Sequence, residues 1–382
     1  MWKAQVFAAI VVVSQPDLTT NADASVRPEA CTPSFDEDAH SSEVAAAVVK
    51  AIQVNDKAIR SVRWTQKTYV PSPGSDALMV LQDGRFGFDE RHRWYFDGLR
   101  TYSGAPGEPG GTQHERFFRD AMGGVWCYVP YAKRGSLRAA QEEDRSIPSP
   151  YSALGRALSA NAPKGVGDLL QAATDLKVVG SSIPADENQI TVRGLCELGE
   201  DFVEIVATVD LAKNGAIKSL VKRSALLGCP LERIENTKFA HIGGTWIPVA
   251  GWREVYSIGA DDGASTERLN KAYKERGLPE KLDPRNRAHR ESMHGILNEV
   301  FGGDYPFVEM IGNGRASFEV SAIMVNDGID IERAIITYDI GADVLDHFAG
   351  VLHAVRNDDD MLKLRRRQRD HLPEKHVAEG VK

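Results

Sequence analysis

The chain has 382 residues, of which 42% are hydrophobic and 26% charged, and carries a net charge of −8. That profile belongs to a globular protein of one or two domains, neither disordered nor fibrous. The acidic balance argues against a partner built on phosphate backbones, so nucleic acid is not expected as a ligand.

Residues 1–24 read as a cleaved export signal: Lys3 supplies the charge, Ala4 to Val13 the apolar core, and Ala22-Asp23-Ala24 a small-x-small cleavage site. The apolar core is well short of the roughly 20 residues a spanning helix needs. No later segment is longer, so the processed protein is not expected to span a membrane, and its location is periplasmic or extracellular. In such a compartment disulfides persist. The four cysteines allow three pairings. Cys196 and Cys229 fall at the same end of the expected sheet and form the candidate bond, although two strand spacings, on the order of 10 Å, would separate them unless the loops fold inward. Free buried thiols are the alternative.

Residues 25–40 are an acidic leader expected to be mobile. Ser41 or Ser42 then caps a helix running through Val48 towards Ile59. Period two follows: Val62, Trp64, Thr68 and Val70 share one side of a half-buried strand that Pro71 ends. Asp83-Gly84 and Asp97-Gly98 carry hairpin chemistry, and Phe86, Phe88, Trp94 and Phe96 fill the segments around them. Gly104–Gly111 is a surface loop without the order of a phosphate cradle. Phe117-Phe118 and Val125–Val129 suggest another hairpin, and Tyr151–Leu158 with Val166–Thr174 an inserted helical pair. Strands resume at Leu176–Val179 and continue through Val209. The clearest run is Lys213 to Ser257, where Asn214-Gly215 predicts a type I′ turn and Ala216–Leu227, Leu231–Ala240 and Thr245–Ser257 predict strands. Gly259 to Arg290 reads as a polar linker and His289–Phe301 as a short helix. Strands are expected at Ala316–Val325, Ile335–Ile340 and Val351–Val355. From Asn357 the tail is charged, including Lys363-Leu364-Arg365-Arg366-Arg367-Gln368-Arg369. It reads as a solvated helix, or alternatively as a patch attracted to anionic membranes.

Signatures of chemistry are missing. There is no nucleophile elbow and no phosphate-binding loop. No Cys-x-x-Cys occurs, and His289 and His294 stand five apart, too far round a helix to share a zinc ion. Asp358-Asp359-Asp360 lacks the spacing of a calcium loop. No catalytic residue, metal or cofactor is expected.

The order of elements, with Gly244-Thr245-Trp246-Ile247-Pro248 in the meander and Asn326-Asp327-Gly328-Ile329-Asp330 ahead of Tyr338–Asp346, resembles the outer-membrane lipoprotein carrier superfamily. The likeness covers residues 41–258 and 315–356. It implies a mainly β (α+β) fold: an antiparallel curved sheet, an open half-barrel, with an N-terminal helix and an inserted helical pair. The domain then runs over 41–356 with a linker insertion at about 259–314, and 357–382 is tail. It also implies an apolar cavity for a lipid or acyl chain. Trp64, Phe86, Trp94, Phe96, Trp126, Tyr128, Trp246, Trp252 and Tyr256 are the candidate cavity wall, because within a strand they keep one parity. Ordinary core packing is the competing account of each. The functional expectation is a carrier or sensor of an apolar ligand. The alternatives are a non-enzymatic module that docks an envelope protein and, third, a hydrolase with a site the sequence does not reveal.

Overall fold

The computed structural model describes residues 35–71, 78–89, 93–102, 111–119, 124–139, 165–179, 188–198, 201–258, 264–279, 282–302, 305–310, 315–326 and 336–371. The export signal, Cys31, most of the Gly104–Gly111 loop and the Tyr151–Leu158 helix lie outside them. The chain starts with helix α1 (Phe35–Lys57), followed by strands β1 (Val62–Pro71), β2 (Leu78–Phe88), β3 (Trp94–Tyr102), β4 (Gly111–Arg119), β5 (Gly124–Val129) and β6 (Arg134–Ala139). After α2 (Val166–Gln171) come β7 (Thr174–Val178), β8 (Gln189–Leu198), β9 (Asp201–Asp210), β10 (Ala216–Ser224), β11 (Pro230–Ile242) and β12 (Thr245–Ile258). Helices α3 (Ala264–Glu275) and α4 (Arg287–Phe301) precede β13 (Val308–Met310), β14 (Ala316–Val325), β15 (Asp343–Asp346), β16 (Val351–Ala354) and α5 (Asp358–His371).

All sixteen described strands form one open sheet in the order β16-β15-β6-β5-β4-β3-β2-β1-β14-β12-β11-β10-β9-β8-β7, with β13 pairing β12 from the side. Two antiparallel meanders, β1–β6 and β7–β12, are joined by β14, which pairs β1 on one side and β12 on the other. The expected mainly β, curved, unclosed architecture is therefore the observed one. Helix α1 lies on what we call the inner face. There Ala45, Val48, Val49 and Ile52 meet Val192, Val203, Ile205, Val209, Leu220 and Ile234. Ser41 also hydrogen-bonds the Val178 backbone N–H at 3.0 Å, which occupies a donor on the edge strand β7.

Several expectations need correction. The helix begins at Phe35, six residues ahead of Ser41, so part of the acidic leader belongs to its first turns; carboxylates are favoured there by the helix dipole. Asp83-Gly84 and Asp97-Gly98 are not turns. Both lie inside strands, and Gly84 faces Gly98 directly across β2 and β3. A Cβ on Gly98 would fall on the carbonyl oxygen of Asp83 and the Cα of Gly84, so the two backbones approach too closely for any side chain. Asn214 and Gly215 do take positive φ, 52° and 82°. They end a five-residue connection that starts with a 3-10 turn at Leu211–Lys213, instead of forming a two-residue hairpin. The two-residue turn is Gly243-Gly244, with φ of 60° and 81° between Ile242 and Thr245.

The polar linker, Gly259 to Arg290, holds α3 and the first turn of α4, and β13 lies further on within the insertion expected at about 259–314. The two helices share a small core: Leu269 and Tyr273 of α3 and Met293 and Leu297 of α4 pack with Cys229, Leu282 and Phe307. Asn286 caps α4, accepting from the Ala288 N–H at 2.9 Å. Residues 336–340 are not a strand, and the short strand β15 follows instead. The first part of the charged tail is helix α5, anchored by buried Met361 and Leu364.

Cys196 and Cys229 are free thiols, as is half-buried Cys127. Cys196, on β8, belongs to the core beneath α1, and Cys229, in the connection between β10 and β11, to the core beneath α3 and α4, so no bond joins them. Burial pushes the Cys196 thiol up to about 12 and the Cys229 thiol up to about 11, from an ordinary value of 9.0. In native protein both are expected to resist N-ethylmaleimide at neutral pH and to react once urea unfolds the chain. Because the folded values lie above the unfolded one, their contribution to stability is complete below pH 9 and is lost as the pH rises towards 11–12. Rapid native labelling of both, read by peptide mass spectrometry, would contradict this placement.

Candidate functional site

The registers of successive strands align one row of side chains across eight strands of the inner face. Trp64 pairs with Phe86, Phe86 with Phe96, Phe96 with Phe117, and Phe117 with Cys127. Cys127 then pairs with Ser136, Ser136 with Leu345 across the parallel junction of β6 and β15, and Leu345 with Leu352. At about 4.8 Å per strand this row spans about 34 Å.

Burial falls along it. Trp64, Phe86, Phe96 and Phe117 are all buried. Trp64 stacks on Phe86 with ring centroids 5.2 Å apart, and Phe86 meets Phe96 at 4.9 Å. Trp94, one row away on the same face, stacks on Phe117 at 4.8 Å. Cys127 and Ser136 are half-buried, whereas Leu345 is 39% exposed and Leu352 64% exposed. Apart from Ser136 the row is thus an apolar track, closed at β1 and open at the β16 edge.

At its closed end the track meets polar groups on the same face. The Trp64 Nε1–H donates to Gln66 Oε1 at 3.1 Å, and the Gln66 amide donates to Thr68 Oγ1 at 3.3 Å. Thr68 pairs with Phe318, whose ring fills the space a side chain at Gly251 would need. Beyond it lie a buried ion pair between Arg253 and Glu232, and buried Asn236, which donates to the Ile217 carbonyl at 2.7 Å. Such a polar belt, set between two apolar cores, offers hydrogen-bonding groups where a curved sheet would ordinarily carry only hydrocarbon. Among the described residues no group of three or more His, Cys, Asp or Glu is placed to hold a metal ion.

The nine predicted wall residues separate into three sets. Trp64, Phe86, Trp94 and Phe96 lie on the inner face, in one core. Trp126 and Tyr128 lie on the outer face, because Trp126 pairs with Phe118 whereas the inner row passes through Phe117. They are buried beneath Tyr338 and the C-terminal segment, and the Tyr128 hydroxyl donates to Asp339 at 2.7 Å. Trp246, Trp252 and Tyr256 also face outward, opposite in parity to inner Ile247, Gly251 and Arg253, and are half-buried. The Arg315 guanidinium lies over the Trp252 ring at 3.9 Å and ion-pairs with Glu254 at 2.9 Å. Glu254 accepts from the Tyr256 hydroxyl at 2.7 Å, and burial together with this hydrogen bond pushes the Tyr256 phenol up to about 12. These outer groups belong to a different surface from the track.

No family model matches the chain, and no curated protein matches it. Among solved structures it is similar to a DUF1329 family protein from Desulfovibrio piger, at 10% identity and a TM-score of 0.41, over 77% of this chain and 97% of that one. It is also similar to an outer membrane lipoprotein-sorting protein domain from Vibrio parahaemolyticus, at 9% identity and a TM-score of 0.41, over 76% and 97%. No helix among the described residues is long and apolar enough to cross a membrane.

Sequence reasoning missed Phe117, Cys127, Leu345 and Leu352 as members of the track and Gln66, Glu232 and Arg253 as members of the belt. Gln66 carried a readable signal, since it stands on the apolar parity of β1 between Trp64 and Thr68. Leu345 and Leu352 carried none, because four-residue strands hold too few positions to display a period.

Proposed function

We propose that this protein is an exported carrier or sensor that binds a lipid or other acyl chain along the inner-face track. The observation that carries this reading is the graded row from buried Trp64 to exposed Leu352. A chain entering at the β16 edge would find a mainly apolar surface, interrupted at Ser136, and, at the far end, polar groups for a headgroup. An acyl chain that buries about 300 Å² gains on the order of 7 kcal/mol before ordering costs are subtracted. The ring contacts of Phe86, stacked on Trp64 and tilted against Phe96, favour a second reading, in which the sheet is already filled and acts as a docking module for an envelope protein.

Mass spectrometry of organic extracts from protein purified without detergent separates the two. Lipid enriched to near stoichiometry over an unrelated exported control is the expected result. In the same assay Leu345→Asp/Leu352→Asp is expected to lose the lipid with its circular dichroism unchanged, because the charges block only the open end. Trp252→Asp, on the other face, should retain it. A clean extract from the parent chain would remove the ligand reading and leave the docking module.

A further inference from the structure

We infer that helix α5 is an electrostatic docking element that brings the open end of the track to an anionic membrane surface. The inference rests in part on the ligand reading above, since it gives the track a surface from which to load.

Four observations support it. First, the charge is concentrated: Lys363, Arg365, Arg366, Arg367 and Arg369 fall within seven residues of a protein whose net charge is −8. Second, the segment is not a loose tail. Its backbone is helical from Asp358 to His371, and Met361 and Leu364 are buried against Trp126, Leu137, Tyr338, Val344 and Val355, so the helix is fixed to the body. Lys363 and Arg366 are exposed. Third, the charges are sorted along the axis. Asp358, Asp359 and Asp360 occupy the first turn. The Asp360 carboxyl is held below its ordinary range by the Arg356 backbone N–H and the Lys363 ammonium. The described cations, Lys363 and Arg366, follow further along the helix.

Fourth, only three residues separate the helix from β16, the strand on which the track opens. Exposed apolar side chains occur on both faces of this edge: Leu345 and Leu352 on the inner face, Val351 on the outer face that carries the helix, Ile340 just before the strands, and Leu362 on the helix itself. A basic helix at a sheet edge that exposes apolar side chains matches an anionic lipid surface, which attracts the cations and accepts the edge side chains at the headgroup boundary. An acidic protein would satisfy the charge but not the apolar fringe.

The test uses the full chain and vesicles of phosphatidylcholine with or without phosphatidylglycerol. The parent is expected to float with the anionic vesicles at low salt, to dissociate as salt is raised, and to ignore the neutral ones. Arg365→Gln/Arg366→Gln/Arg367→Gln is expected to weaken partitioning on the order of a hundredfold, at about tenfold or less per charge removed. Binding to neutral vesicles equal to that on anionic ones would overturn the inference, as would insensitivity to salt; both are read on the parent and need no variant to fold. Capture by polyglutamate without flotation would overturn it in favour of an acidic protein partner. A protein that floats yet gives a lipid-free extract would refute the ligand reading alone. One that carries lipid yet never floats would refute the docking element alone.

Discussion

Trp64→Ala is expected to lower stability by about 4 kcal/mol, among the largest effects of any single truncation in the chain. The ring is 1% exposed, lies nearly parallel to Phe86 with 8° between planes, and donates its N–H to Gln66. Removing it opens a cavity at the closed end of the track and takes away the donor that satisfies the Gln66 carbonyl oxygen. Urea unfolding followed by far-UV circular dichroism measures the loss. A hydrophobic additive that fills the cavity should restore part of it, because only the folded state offers that site. A midpoint unchanged from the parent would show that Trp64 is not part of a packed core.

The second large effect is expected at the buried pair. Glu232→Leu strips the carboxylate from beside Arg253 in a region where both side chains are nearly withdrawn from water. Breaking such a pair from one side typically costs about 3–5 kcal/mol, whereas replacing both partners with apolar groups of similar volume is often close to neutral. The double variant Glu232→Leu/Arg253→Met is therefore expected to be more stable than the single one, and the interaction energy from the full cycle measures the coupling. If the two substitutions simply add, the pair is not coupled. The same double variant tests whether the belt serves ligand binding, since it would keep the fold while removing the polar groups at the far end of the track.

What the sequence disclosed was the alternation within each strand, and what it withheld was the relation between strands. Phe117 and Phe118 are adjacent, yet one enters the inner row and the other packs under the C-terminal segment. Nothing short of the pairing register decides that Trp94 and Trp126 face opposite ways. Turn chemistry misled at Asp83-Gly84 and Asp97-Gly98 because glycine answers two needs, positive φ and absence of a Cβ, and here the second applies. Helix α3 passed for linker because its sequence is mostly polar, with Leu269 and Tyr273 as the residues that face its small core. The long strands β11, β12 and β14 were legible nearly to the residue, since ten or more alternating positions leave little ambiguity.

Strand β14 has a consequence for how the molecule is made. It is the described strand that touches both meanders, and it pairs residues as distant as Thr65 and Ser321. During synthesis β1–β6 and β7–β12 can each zip up locally as they emerge. Each then waits with an unpaired margin, β1 on one and β12 on the other, until residues 316–325 arrive. Closure by so remote a segment is slow, and open strand margins invite pairing with other chains meanwhile. Assembly of this fold is thus governed by its last third, and a chaperone that shields β1 and β12 would act in that interval.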